Sequence, residues 1–130
     1  MLQILPPIAY AGAVVAILMA ATGRGVAPPL RWGVPAGVGA RFVAFSLWTV
    51  AEEGVIQFWI NHTTTLAGVQ VWFDLVFAVA IGFVVIAPRA RAVGMPLLPW
   101  GLAVIATACI ALLFMFARLL WLEEKATRRP

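Results

Sequence analysis

The sequence predicts an all-α fold, a four-helix transmembrane bundle with up-down topology, and three observations predict it. Hydrophobic residues make up 64% of the 130 and charged ones only 11%, against about one-quarter charged in an ordinary soluble domain. The mean hydropathy is +1.02. Four apolar segments each approach the roughly 20 residues that carry a helix across a bilayer. In hydrocarbon every backbone amide and carbonyl must find its partner within its own segment, so helices in one integral membrane domain, 1–130, are the expected outcome.

The first helix is expected over about 6–22, opened by Pro6 and Pro7, whose missing amide donors do little harm in a first turn. No Lys or Arg precedes it, so it makes a poor signal peptide and reads as a retained helix. Gly12, Ala16 and Ala20 give it a small-residue stripe suited to helix packing. Residues 23–40, rich in glycine and proline, predict a loop resting at headgroup level. The second helix is expected over 41–60 and the third over 66–87. The "NHTTT" link between them is short enough to force antiparallel neighbours. "PRARAVGMP" closes the third, the fourth runs over 97–121, and the charged tail "LEEKATRRP" leaves the bilayer. Trp32, Trp59, Trp100 and Trp121 fall near segment ends, as interfacial anchors do.

Cysteine and charge exclude several function classes. One cysteine, Cys109, permits neither an internal disulfide nor a thiolate metal cluster. One histidine, His62, excludes bis-histidine haem ligation within a chain, and no metal or cofactor is expected. The net charge is +4, yet the arginines sit in loops and the tail without stacking aromatics, so nucleic acid is not an expected partner. In a four-span topology one side carries Arg24, Arg31, Arg41, Arg89 and Arg91. The other carries Lys125, Arg128 and Arg129, with Arg118 just inside the last helix. The narrow excess predicts both termini outside the cytoplasm of a bacterial inner membrane, with near-balance leaving dual insertion open.

The candidate site is a polar seam. Thr49, Glu53, Gln57 and Asn61 recur every four residues along the second helix, and Gln70 and Asp74 repeat the spacing on the third. Glu53 and Asp74 lie about 10 and 12 Å from their hairpin ends at 1.5 Å per residue, and Arg118 enters from the same side. A charged side chain near mid-membrane costs about 2.5–3.5 kcal/mol unless paired or hydrated. A cluster of Glu53, Asp74 and Arg118, buffered by Gln57 and Gln70, is therefore expected. Glu52 points about 100° away from Glu53, toward another helix, a subunit interface or water.

The motifs "NHTTT", "VQVWFDL", "PRARAVGMPLLPW" and "ARLLWLEE" resemble a family of small uncharacterised bacterial four-helix membrane proteins, distantly similar to plastid membrane proteins required for neoxanthin formation. The resemblance covers about 61–124 through Asp74, Arg89, Arg91, Gly94, Met95, Pro99 and Trp100. It implies the fold and assigns no reaction. Three functions compete on these residues. The seam fits an accessory or self-assembling subunit, a homo-oligomer or part of a larger membrane complex, glued by hydrogen bonds where lipid supplies no hydrophobic drive. It also fits a proton-coupled carrier or channel working as a homodimer, with Glu53 or Asp74 exchanging the proton. The third is a membrane enzyme acting on a lipid or isoprenoid ligand, in which a protonated carboxyl donates its proton to an alkene or epoxide while Trp48, Phe58, Trp72 and Phe73 shelter the cationic intermediate.

Overall fold

The computed structural model describes residues 2–23, 25 and 27–128, and among these the chain is all helical. A 3-10 turn, Leu2–Ile4, leads into α1 (Leu5–Ala21), followed by α2 (Pro28–Glu53), α3 (Val55–Thr63), α4 (Leu66–Ala92), α5 (Leu97–Thr107) and α6 (Cys109–Thr127). Two of these are long and apolar enough to cross a membrane, α2 from Leu30 to Glu53 and α4 from Leu66 to Ala92. Six helices thus replace the expected four, and the differences arise at three places.

The first is the loop expected over 23–40, most of which is helix. Pro28 and Pro29 occupy the opening positions of α2, where no intrahelical amide bond is lost. Pro35 and Gly39 lie inside the helix and are buried. A Cβ on Gly39 would stand 3.3 Å from the Phe114 ring and 3.4 Å from Leu113 Cβ, so the bare glycine lets α2 and α6 close together. Tertiary packing here outweighs the poor helix propensity of glycine and proline. Gly39→Leu is expected to destabilise the protein by about 1–3 kcal/mol, the usual cost of forcing methylenes into filled space. A fall in the thermal midpoint in detergent checks it.

The second difference is a break inside the helix expected over 41–60. Gly54 adopts φ 78° and ψ 158°, ending α2 and starting α3. That region of backbone space is essentially restricted to glycine. Beyond the break α3 packs on α4 through the edge-on contacts of Phe58 and Trp59 with the Trp72 ring, at 6.2 and 5.7 Å between centroids. Thr65 caps α4 by accepting a hydrogen bond from the Gly68 amide at 3.0 Å.

The third is the largest. The fourth helix, expected as one span over 97–121, is two helices joined at Ala108, with φ 49° and ψ −119°. The chain reverses there. Arg89, at the end of α4, forms a two-bond fork with Glu123 of α6, Nε to Oε1 at 2.9 Å and Nη2 to Oε2 at 2.7 Å. A continuous helix would carry Glu123 about 39 Å from Leu97 at 1.5 Å per residue. The core agrees. Val104 of α5 clusters with Ala111 of α6, and Leu97 and Trp100 pack on the cluster holding Met115 and Leu119. α6 also continues past Trp121 to Thr127, so most of the charged tail is helical.

α6 is the centre of the molecule, contributing buried Ala111, Met115, Ala117, Leu119 and Leu120. It runs alongside α4 in the same direction, as the Gly82 contact with Leu112 and the Arg89 pair with Glu123 require. It runs against α2, where Gly39 meets Leu113 and Phe114. α1 stands apart: it packs on the 3-10 turn before it and on none of the other five helices, and none of its residues is buried.

The reversal also redistributes charge. Arg31, Arg89, Arg91, Lys125 and Arg128 gather at one end of the bundle, because the end of α4, the start of α2 and the last turns of α6 all lie there. The opposite end, from Glu52 through His62 to Asp74, has no Lys or Arg.

A candidate site at two helix breaks

The residues of the expected seam are divided by this fold. Thr49 and Glu53 belong to α2, while Gln57 and Asn61 lie beyond Gly54 on α3. Gln57 Nε2 donates to Asn61 Oδ1 at 2.8 Å, so half of the stripe survives as a local pair. Thr49 Oγ1 donates to the Phe45 carbonyl one turn back at 2.9 Å. Glu52, Glu53, Gln57, Asn61, Gln70 and Asp74 are all exposed on the single chain. His62 Nδ1 bonds the Phe58 carbonyl at 2.8 Å, which requires its proton on Nδ1.

Arg118 corrects the expected cluster. Its guanidinium lies 4.7 Å from the centre of the Trp121 ring, and its neighbour Leu119 packs in one cluster with Ala90. Ala90 is about 24 Å along α4 from Asp74 at 1.5 Å per residue. The ion pairs among the described residues are Arg89 with Glu123 and Arg128 with Glu124, so Glu53, Asp74 and Arg118 are not brought together. The cause is the turn at Ala108, which returns α6 to the end from which α5 entered. No charged side chain is buried among the described residues. Nor do they group three His, Cys, Asp or Glu side chains as metal ligands would be.

What the fold does bring together is the pair of helix breaks. Gly54 and Ala108 both line an open cavity of about 450 Å³ between α2, α3, α4 and the tip of the α5–α6 hairpin. Small-molecule sites span roughly 300–1,000 Å³. Four rings form much of its wall: Phe42 and Phe45 from α2, Phe58 from α3 and Trp72 from α4. Its polar side chains are Ser46, Thr49, Thr107 and Cys109. Thr107 Oγ1 donates to the Ala103 carbonyl at 2.8 Å and accepts from the Ala111 amide at 3.2 Å, which caps part of the opening turn of α6.

Each break also leaves backbone groups without partners inside a helix, because the first amides and last carbonyls of any helix lie beyond its own ladder. At the Ala108 tip the last carbonyls of α5 and the first amides of α6 adjoin the cavity, and the positive end of the α6 dipole points the same way. The arrangement offers an aromatic slot with hydrogen-bonding capacity concentrated at one end. Its lining holds hydroxyls and one thiol, with no carboxylate, imidazole or amine. Such a wall can hold a ligand and orient its polar group; it contains no strong acid or base for proton transfer.

Sequence reasoning did not single out Gly54, Thr107, Ala108 or Ser46. A signal existed for Gly54, since a glycine inside a helix costs about 0.5–1 kcal/mol relative to alanine and so marks a candidate break. Ala108 carries no such mark, because alanine is the best helix former. Comparison of the chain with known protein families, with characterised proteins and with solved structures finds no match.

Proposed function

We propose that this chain is a multi-pass protein of a bacterial inner membrane that holds an isoprenoid-type ligand in the cavity between its helix breaks. One observation carries the reading: four aromatic rings and two interrupted helices meet around one space of about 450 Å³. Irregular backbone at membrane depth is tolerated where it is buried in protein or lines a cavity, and broken helices in membrane carriers commonly mark the binding site. Ring faces favour an unsaturated chain, and the open amides and carbonyls at the Ala108 tip favour one terminal hydroxyl or carbonyl. The carrier and acid-catalysis readings need a carboxyl at the ligand, and the wall has none.

The test is extraction of what the protein retains. Protein purified in mild detergent from an isoprenoid-producing host is expected to carry an isoprenoid by native mass spectrometry. Phe45→Ala combined with Phe58→Ala is expected to reduce its occupancy at least tenfold. Equal occupancy in variant and wild type would remove the proposal.

A second reading, assembly into a homo-oligomer or larger membrane complex, is favoured by a separate observation. α1 is apolar and packs on no other helix, and Glu53 and Asp74 project from the apolar surface of the single chain. Ionisable groups in a membrane seek protein or water, and neighbouring chains supply it. Light scattering on the detergent-solubilised protein is expected to give at least twice the 14.0 kDa chain mass; a monomer with α1 intact would exclude this reading.

A further inference from the structure

α1 and the outward side of α2 carry two matching surfaces that the chain itself leaves open. The small residues Ala9, Gly12, Ala13, Ala16 and Ala20 of α1 fall within about 100° of its circumference at 3.6 residues per turn. Tyr10, Val14 and Leu18 occupy the opposite side. On α2, Gly33, Gly37, Ala40 and Ala44 form a second small-residue stripe, about 130° around the helix from buried Gly39, which meets α6. Small residues on a membrane helix let a second backbone come close. A Cβ at Gly39, Gly82 or Gly101 would touch a side chain of a neighbouring helix, whereas one at Gly12, Gly33 or Gly37 would meet nothing within 4 Å. The two open stripes are also in register. Residues 22–27 join the end of α1 at Ala21 to the start of α2 at Pro28, so antiparallel helices of this sequence bring residues equally far from that link to one depth. Ala16 and Gly33 each lie five residues from it, Gly12 and Gly37 nine, and Ala9 and Ala40 twelve.

Yet α1 packs on no part of its own α2. The exposed area points to what covers both. The chain exposes 9636 Å², against about 6,700 Å² for a compact monomer of 14.0 kDa. That excess is more than three times the roughly 800 Å² each partner covers in a standard interface. We infer that the partner is a second copy of this chain, and that α1 of each copy packs antiparallel on the α2 stripe of the other. A copy inserted in the same direction presents its α2 at the same depth, so the register holds between chains as it would within one. The exchange is reciprocal about a two-fold axis along the membrane normal, and it closes both stripes on both copies. Charge does not oppose it, because residues 5–21 hold no charged side chain and Arg41 stands on the flank of the α2 stripe, about 70° from its middle. The inference rests on the oligomer reading above and on α2 as a membrane span; it names the partner and the contact.

The experiment is disulfide trapping in membranes, on a Cys109→Ser background, between two differently tagged copies of the full chain made in one cell. With Ala9→Cys in one copy and Ala40→Cys in the other, oxidation by copper phenanthroline is expected to give a linked pair carrying both tags. Ala11→Cys lies about 200° around α1 from Ala9, and with Ala40→Cys it is expected to give at least tenfold less. Equal yields from the two positions would overturn the inference. A single chain carrying both Ala9→Cys and Ala40→Cys tests the internal alternative: a disulfide closed within that chain, with no pair formed between tags, would place α1 on its own α2 and overturn the assignment to a second copy. Gly37→Leu is expected to weaken the dimer at least tenfold in light scattering across a dilution series, and Ala11→Leu to leave it unchanged; dimerisation of Gly37→Leu at the wild-type level would count against the contact. Wild-type protein at one chain mass would overturn the oligomer reading and this contact together, whereas an oligomer that gives no disulfide between the substituted positions would overturn this contact alone.

Discussion

Gly54→Ala is expected either to lower stability by about 1–3 kcal/mol, the cost of holding a residue with a Cβ in a glycine-only backbone region, or to straighten the chain and empty the cavity between the helix breaks. Space is not the obstacle, since a Cβ at Gly54 would meet nothing within 4 Å. The obstacle is φ 78° with ψ 158°. An alanine there has two courses. It keeps the bend and carries the strain, or it relaxes into helix, which alanine favours over glycine by about 1 kcal/mol. The second course joins α2 to α3 and swings Phe58 away from Trp72, removing one wall of the cavity. The first course costs stability, and the second weakens ligand retention. The thermal midpoint and the occupancy of co-purified ligand measure them, and a variant matching wild type in both would show that the break is incidental. The reciprocal change separates strain from shape. Ala108 already holds φ 49° with a Cβ, so Ala108→Gly is expected to raise stability by a few tenths of a kcal/mol to about 1 kcal/mol while leaving the cavity in place.

These two residues also mark where the sequence stops being legible. α1 and the start of α4 were readable to within a residue, because apolar runs there are bounded by Pro6 at one end and by the Thr63–Thr65 turn at the other. The end of α4 was placed at 87, yet the helix passes through Pro88 to Ala92, where Arg89 and Arg91 complement the negative end of the dipole and Arg89 is held by Glu123. The 97–121 segment was unreadable in a deeper sense. Its length and hydropathy suit a single span, and they suit a hairpin equally well, because a hydropathy pattern records how apolar a stretch is and not whether it turns back. The decision rests on long-range partners: Arg89 with Glu123, and Val104 with Ala111. The expected seam failed for the same reason. Four-residue spacing correctly predicts a shared helix face only while the helix is continuous, and Gly54 interrupts it between Glu53 and Gln57. The expected approach of Arg118 to the acids from the same side requires α5 and α6 to be one helix.

Single-cysteine labelling is expected to put Gly94 and Ala126 on the same side of the membrane and Thr64 on the other. A single span over 97–121 would separate Gly94 from Ala126, so the pattern distinguishes the two topologies without reference to any ligand. The chain suits the test, since Cys109 is its one cysteine and Cys109→Ser supplies a blank background for Gly94→Cys, Thr64→Cys and Ala126→Cys. Orientation follows from the same geometry. With the hairpin returning on itself, Arg31, Arg89, Arg91, Lys125 and Arg128 share one end, and the residues from Glu52 to Asp74 contribute no cation at the other. On the proposed spanning reading, the near-balance expected from four spans becomes an asymmetry, and the positive-inside rule predicts the cationic end on the cytoplasmic side. That reading predicts the end of α6 on the cytoplasmic side, opposite to the side a four-span reading predicts. In intact cells an impermeant maleimide is expected to modify Thr64→Cys and to leave the other two untouched until the membrane is opened. Modification of Ala126→Cys along with Thr64→Cys in intact cells, with Gly94→Cys protected, would restore the single span and dismantle the hairpin. Modification of both Gly94→Cys and Ala126→Cys would keep the hairpin and invert it, leaving the fold intact and the charge argument refuted.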